Sequence, residues 1–398
     1  MSDSGPGMEV AKPLIRSAKL PGGVITATID HAELRSEDLF EFAARDNPKR
    51  AFLFLSKVLG KHLPVSPDLM QDVHRRMARL IPLLPEPVIF IGMAETATGL
   101  GQGVFEEWLV NRPGAAGVFV HTSRYRVAGA ETVCFEESHS HAPSVYLHVP
   151  AAALARERFL NARSLVLIDD EISTGNTLVN LARACVQLVP SVERVHLGCI
   201  TDFMGFGRRE ELSSRFGLPT DVGALLSGSY RFEPAEDATP TPAEAQRLGS
   251  NEGRLKDNGL GRLGRVDQIA VATAVTMRLH ASRTSDAPTL VLGTGEFMHP
   301  AFVLGRELQK MGGQVLIQST TRSPIREWGN IISTRYFPDN YGEGVNNYIY
   351  GLDPSRYGKI VICCETDCGA HLRELAHELG AHLIRFASEA IYEEDLVC

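Results

Sequence analysis

No run of apolar residues in the 398-residue chain approaches the length of a membrane span. The N-terminus lacks the apolar segment of a secretory signal, and residues 1–11, rich in Ser and Gly, read as a flexible leader. Positive charge is also short. Forty Lys and Arg against 48 Asp and Glu leave a net charge of −8. A general nucleic-acid binder needs a basic face to displace counterions, so that class is excluded. An anionic metabolite is not, because a few local cations suffice to hold one. The seven cysteines (Cys134, Cys185, Cys199, Cys363, Cys364, Cys368 and Cys398) are an odd number in a long chain. They suit reduced thiols and a cytoplasmic protein rather than a disulfide framework.

What is present fits a soluble globular protein, with 44% hydrophobic and 22% charged residues. The length exceeds one compact core, so two domains are expected. Residues 30–81 read as mostly helical. Short apolar strands at 88–91, 117–120, 165–168 and 195–200 then alternate with helices that run through Trp108 and Leu188. Such alternation predicts an α/β protein with a mostly parallel sheet, whose ligand sits at the carboxyl ends of the strands. Residues 236–265, rich in Pro, Gly, Glu and Asn, read as a linker between a first domain over 25–235 and a second over 266–398. The second has strand candidates at 289–292, 314–318, 359–362 and 382–386.

The chemistry concentrates at residues 165–177. Four apolar residues make a buried strand that ends in Asp169, Asp170 and Glu171. A short loop of Ser173, Thr174 and Gly175 then opens a helix with Asn176 and Thr177. Adjacent carboxylates accept hydrogen bonds from two vicinal ribose hydroxyls. Hydroxyls and main-chain amides at a helix N-terminus suit a phosphate dianion, and Gly175 allows close approach. The plain alternative is a strand–turn–helix with capping acids.

This segment resembles the signature of the type I phosphoribosyltransferases. The resemblance implies that the donor is phosphoribosyl pyrophosphate (PRPP), with Asp169 and Asp170 on the ribose 2′- and 3′-hydroxyls and residues 173–177 on the 5′-phosphate. Glu171 departs from the family, which usually has an apolar residue there. Transferases for 6-oxopurines carry Asp at the position of Ser173, and orotate transferases carry Thr. Ser173 is closer to the orotate type. The resemblance puts the pyrophosphate loop at Gly92, Met93, Ala94, Glu95 and Thr96, after the strand at 88–91. Glu95 is odd beside an anion unless Mg²⁺ intervenes through the pyrophosphate. Arg124 and Arg126 suit the leaving pyrophosphate, because guanidinium forks match phosphate oxygens. Residues 128–144, with His139 and His141, occupy the place of the family's mobile loop, although a surface hairpin reads equally well.

Upstream, Asn47, Pro48, Lys49 and Arg50 lead into the segment expected to form the hood over the acceptor. Lys57 and Lys61, one turn apart in a helix, would share a face and bind an acidic acceptor; a solvated basic face is the equal alternative. Arg322 is a further acceptor candidate.

The C-terminal region reads as a degraded copy of the first domain. Gly92-Met93-Ala94-Glu95 matches Gly293-Thr294-Gly295-Glu296. Residues 118–124 match 316–322, and 166–175 match 361–369 if one upstream residue is dropped. On that alignment both ribose acids become Cys363 and Cys364, and the second donor site is empty. Chance similarity of two α/β domains is the alternative. Glu296 and Arg322, kept in such a copy, are expected at the domain interface or beside the acceptor. The sequence Thr321-Arg322-Ser323-Pro324, taken with the donor loop, is similar to one group. That group is the phosphoribosyltransferases of bacterial tellurite-resistance-associated biosynthetic clusters, whose C-terminal domain is named for this motif. The resemblance implies a small-molecule acceptor, Mg²⁺ carried with PRPP, no nucleic-acid or membrane partner, and leaves a homodimer open. A PRPP-sensing regulator and a PRPP-synthase-like phosphotransferase remain the alternatives.

Overall fold

The computed structural model describes residues 13–45, 50–136, 144–235, 255, 260–271, 273–282, 285–387 and 392–396. The chain opens with β1 (Leu14–Leu20), β2 (Gly23–Ala32), a single turn α1 (Ser36–Leu39), β3 (Phe40–Ala44) and β4 (Phe52–Ser56). Then come α2 (Pro67–Leu80), β5 (Val88–Gly92), α3 (Thr98–Asn111), β6 (Gly117–His121), β7 (Thr132–Glu136) and β8 (Ser144–His148). Next are α4 (Ala153–Leu160), β9 (Ser164–Ile172), α5 (Asn176–Leu188), β10 (Arg194–Asp202), α6 (Phe206–Glu210), α7 (Leu212–Phe216) and β11 (Thr220–Pro234). The C-terminal half has α8 (Thr273–Ala281), β12 (Thr289–Gly293), α9 (His299–Lys310), β13 (Val315–Ser319), β14 (Thr334–Pro338) and β15 (Asn346–Tyr350). It ends with β16 (Lys359–Cys364), α10 (Ala370–Leu379), β17 (His382–Phe386) and β18 (Tyr392–Leu396).

Residues 30–81 are not mostly helical, contrary to the expectation. Among the described residues there, only α1 and α2 are helices. Phe40, Phe42, Phe52 and Phe54 fall at alternate positions and all point inward from the β3–β4 hairpin. Their rings meet one another and Phe203 edge-on or stacked. A period of two is a strand period, and the aromatic edges hold the hairpin together. The helix α2 behaves as its pattern requires: Ser66 caps it, Pro67 takes the first turn, and Met70, Val73, His74 and Met77 face inward.

The first sheet has seven strands in the order β1-β2-β11-β10-β9-β5-β6. Its β11-β10-β9-β5-β6 portion is parallel. The strands β5 and β9 and the edge strand β6 are buried and largely apolar, as expected where helices pack on the sheet. The second sheet runs β13-β12-β16-β17-β18, parallel except for the antiparallel edge β18. Strand for strand, β6-β5-β9-β10-β11 and β13-β12-β16-β17-β18 occupy the same order. β5 and β9 lead into α3 and α5, and β12 and β16 lead into α9 and α10. No helix among the described residues is long and apolar enough to cross a membrane.

The two halves are sewn together. Val65 and Ile317 exchange main-chain hydrogen bonds, at 2.9 and 2.7 Å. Arg326 donates its amide to Ala44 at 2.9 Å, so the Thr-Arg-Ser-Pro loop lies along β3 of the hood. Within the stretch read as linker, Arg265 exchanges two 2.8 Å hydrogen bonds with Phe119 of β6, and Leu260, Arg262 and Leu263 are buried.

Candidate active site

Strand β9 delivers the three acids. Its Leu165–Ile168 stretch is fully buried, and the chain emerges half-buried at Asp169, Asp170 and Glu171. Alternation puts Asp169 and Glu171 on one face of the strand and Asp170 on the other. Asp170 accepts from the Thr96 hydroxyl at 2.7 Å, which ties the ribose acids to the loop after β5. Asp169 accepts the Asp170 amide at 3.0 Å. Glu171 accepts from Arg50 at 2.6 Å, and the Arg50 guanidinium lies 4.8 Å from the Phe52 ring centre. Burial pushes the Glu171 carboxyl above the usual carboxylate range, against the opposing pull of Arg50.

Residues 173–175 form the loop and α5 begins at Asn176. Gly175 sits at the helix N-cap with φ 71°, a left-handed conformation that a side chain would strain. The Asn176 amide donates to the Thr174 hydroxyl at 3.4 Å. Two arginines brace this loop from behind. Arg215 donates to the Thr174 carbonyl at 2.7 Å and to the Asn176 side chain at 2.8 Å, and Arg208 donates to the Ser173 carbonyl at 3.2 Å. Neither was singled out from sequence. They arrive from α6 and α7 after β10, with no local motif to mark them. A helix N-terminus flanked by guanidinium groups gives this corner the polarity a phosphate needs.

The loop of Gly92, Met93, Ala94, Glu95 and Thr96 lies beside it. The Met93 amide donates to the Ile168 carbonyl at 2.9 Å, and the Ala94 amide donates to the Thr122 hydroxyl at 2.7 Å. Gly92 is obligatory: a Cβ there would stand 2.7 Å from the Ala97 carbonyl oxygen. The Glu95 carboxylate is not left beside an anion. It turns to the second sheet, 2.7 Å from the Lys61 ammonium, and accepts the Arg322 amide at 3.2 Å.

Lys57 and Lys61 do not share a helical face, because no helix forms between β4 and α2. Lys57 donates to the Glu37 carbonyl at 2.8 Å. Lys61 is fully buried and committed to Glu95 and to the Gly295 carbonyl. Arg124 is half-buried in the loop after β6, and its amide donates to Glu296 at 2.6 Å. Arg126 is exposed, with its guanidinium 5.0 Å from the Tyr146 ring centre. Arg322 lies 5.6 Å from the Tyr125 ring centre and 3.5 Å from the Glu343 carboxylate. His139, His141, Asn47, Pro48 and Lys49 lie outside the described residues.

The register of the two sheets corrects the alignment of the acids with cysteines. Gly92 pairs with Ile168 across β5 and β9, and Gly293 pairs with Cys363 across β12 and β16. Cys363 therefore stands where Ile168 does, Cys364 where Asp169 does, and Glu365 where Asp170 does. The missing residue belongs to the loop before Gly369, not upstream of the acids. One acid is thus retained, and it is occupied. Arg262 grips Glu365 with two hydrogen bonds of 2.6 and 2.7 Å, and the Tyr341 hydroxyl donates to it at 2.7 Å. Arg262 also donates to Glu296 at 2.8 Å. Arg262, Glu296 and Glu365 are all buried. Cys364, the last residue of β16, and Cys368 in the loop that follows lie with their sulfurs 3.2 Å apart.

Residues 39–229 match the model of a family described as phosphoribosyl transferase. A phosphoribosyl transferase domain is thus detected over these residues. Residues 260–379 match a second model, described as the TRSP domain C-terminal to that transferase. No curated protein matches the chain in sequence. Similar solved structures include the adenine phosphoribosyltransferase of Thermoanaerobacter pseudethanolicus, at 17% identity and TM-score 0.32, covering 47% of this chain and 96% of that one. The enzyme of Giardia lamblia, complexed with 9-deazaadenine, is similar at 13% identity and TM-score 0.32, over 48% of this chain and 97% of that one. The enzyme of Trypanosoma brucei, in complex with AMP, pyrophosphate and ribose-5-phosphate, is similar at 13% identity and TM-score 0.34, over 53% and 86%.

Proposed function

We propose that this chain transfers the 5-phosphoribosyl group of PRPP to a small acceptor, an orotate-like base or small acid, and releases pyrophosphate. The observation that carries the reading is the Asp169–Asp170 pair at the end of β9, followed at once by a glycine-capped helix N-terminus braced by Arg208 and Arg215. The acids hold the ribose 2′- and 3′-hydroxyls. Ser173, Thr174, Gly175, Asn176 and Thr177 hold the 5′-phosphate. Residues 92–96 cradle the pyrophosphate with their main chain, and Arg124 and Arg126 receive it as it leaves. The acceptor nucleophile attacks ribose C1, and the bond from C1 to pyrophosphate oxygen breaks with its electron pair going to pyrophosphate. The transition state is oxocarbenium-like, so catalysis is positioning and electrostatics. Glu171, held by Arg50, stands on the Asp169 side of the strand, where its charge favours the cationic sugar.

No carboxylate stands at position 173 to act as base, which favours an acceptor that enters already ionised. Lys57 and Arg322 remain the candidates to meet its charge. The adjacent carboxylates of Asp169 and Asp170 are hard oxygen donors of the kind Mg²⁺ accepts, directly or through water. Bound with PRPP, Mg²⁺ would neutralise charge on the leaving pyrophosphate. The domain limits that serve this reading are 25–235 for transfer and 266–398 for the Thr-Arg-Ser-Pro domain. We place the protein in the cytoplasm with the transferases of tellurite-resistance clusters on its Thr321-Arg322-Ser323-Pro324 sequence.

The test is pyrophosphate release from PRPP and Mg²⁺ across a panel of bases and small acids. Release with at least one acceptor, dependent on that acceptor, supports the reading. PRPP binding without release from any panel member would favour a sensor.

A further inference from the structure

We infer that the C-terminal domain is a positioning element for the pyrophosphate end of the donor site, acting through the buried pair Lys61–Glu95 and its counterpart at Glu296. The inference rests on the phosphoribosyl-transfer reading of residues 92–96 and 124. The carboxyl ends of the two sheets face each other, and their loops exchange acids. Glu95, after β5, accepts the amide of Arg322, after β13, at 3.2 Å. Glu296, after β12, accepts the amide of Arg124, after β6, at 2.6 Å. The supporting contact within each half is also the same. The Ala94 amide donates to Thr122 at 2.7 Å, and the Gly295 amide donates to Thr320 at 2.8 Å.

The exchange is reciprocal but not equal. Glu296 is held by Ser123 at 2.8 Å and by Arg262, which is itself locked on Glu365. On the other side an ammonium reinforces the Arg322 contact. Lys61 has no exposed surface, and its Nζ lies 2.7 Å from Glu95 and 2.7 Å from the Gly295 carbonyl. Those acceptors belong to opposite halves of the chain. A buried ammonium is tolerated only while both stay in place, so any drift of residues 92–96 away from the second sheet leaves a charge unpaired. Both segments that would hold pyrophosphate, the loop at 92–96 and the backbone of Arg124, are thereby fixed by the C-terminal domain. The 5′-phosphate corner is different. Its braces, Arg208 and Arg215, come from the first domain itself.

That asymmetry makes Lys61 a positioning residue with a distinctive signature. In the full-length protein, calorimetric affinities are measured for pyrophosphate with Mg²⁺ and, separately, for ribose 5-phosphate. Lys61→Met is expected to weaken pyrophosphate binding about tenfold and leave ribose 5-phosphate within about twofold, since misplaced groups cost orders of magnitude while the other corner is untouched. Ser123→Ala, which removes a second-domain tether without changing any charge, is expected to shift the same ligand in the same direction. It also serves if Lys61→Met does not fold. Unchanged pyrophosphate affinity in a cooperatively melting Ser123→Ala protein, or an equal loss for both ligands, overturns the inference. Wild-type protein that binds neither ligand overturns the transfer reading beneath it.

Discussion

Arg50 and Glu171, 121 residues apart, meet at 2.6 Å and join the hood hairpin to the strand that presents the donor acids. Both are shielded, with side-chain exposures of 23% and 9%. Removing one partner of a shielded pair strands the other charge. Arg50→Ala is expected to cost about 2 kcal/mol of stability at pH 7, below the fully buried range because Arg50 is partly wetted. With Arg50 gone, the Glu171 folded pKa rises further above its unfolded value. The penalty is then absent below the unfolded pKa and grows as pH rises. Urea denaturation at pH 4 and pH 7 checks this, and equal losses at the two pH values contradict it.

Arg215 braces the 5′-phosphate loop through the Thr174 carbonyl and the Asn176 side chain. Arg215→Ala should lower ribose 5-phosphate affinity about tenfold, in line with one or two charge-assisted hydrogen bonds. Pyrophosphate affinity should hold. Calorimetry with each ligand measures both, and an unchanged ribose 5-phosphate affinity counts against the loop as the phosphate site.

Burial lifts the Glu343 carboxyl from its ordinary 4.5 to about 7, against the pull of nearby Arg322. The folded protein therefore keeps this proton where the unfolded chain has lost it. The resulting stability is complete below pH 4.5 and is lost as pH rises to about 7. Glu343→Gln should flatten the melting temperature against pH across that window. Parallel wild-type and variant profiles would refute the assignment.

Much of the backbone of the candidate site was legible because it is local. The apolar run ending in Asp169, Asp170 and Glu171, followed by Gly175, sets strand, turn and helix within a dozen residues. The parallel strands β5, β6, β9 and β10 were legible for the same reason. The hood was not. Its strands β3 and β4 are five residues each, and their alternating phenylalanines were outweighed by the helical spacing of the neighbouring α2. Arg208, Arg215 and Arg262 carry no signal at all in sequence, because their partners are brought to them by tertiary packing. The alignment of the two halves failed by one residue for a further reason. Sequence matching anchored on Gly175 and Gly369, whereas strand pairing anchors on Gly92 and Gly293.

The most direct test of the whole account is PRPP binding by the Asp169→Asn, Asp170→Asn double variant, measured by calorimetry in the presence of Mg²⁺. Both side chains are half-buried at a strand end, so the isosteric change should leave the fold melting cooperatively. Exchanging two ionised acceptors for neutral amides should weaken PRPP binding at least about tenfold relative to wild type. A folded double variant that binds PRPP as tightly as wild type would contradict the placement of the donor on these acids.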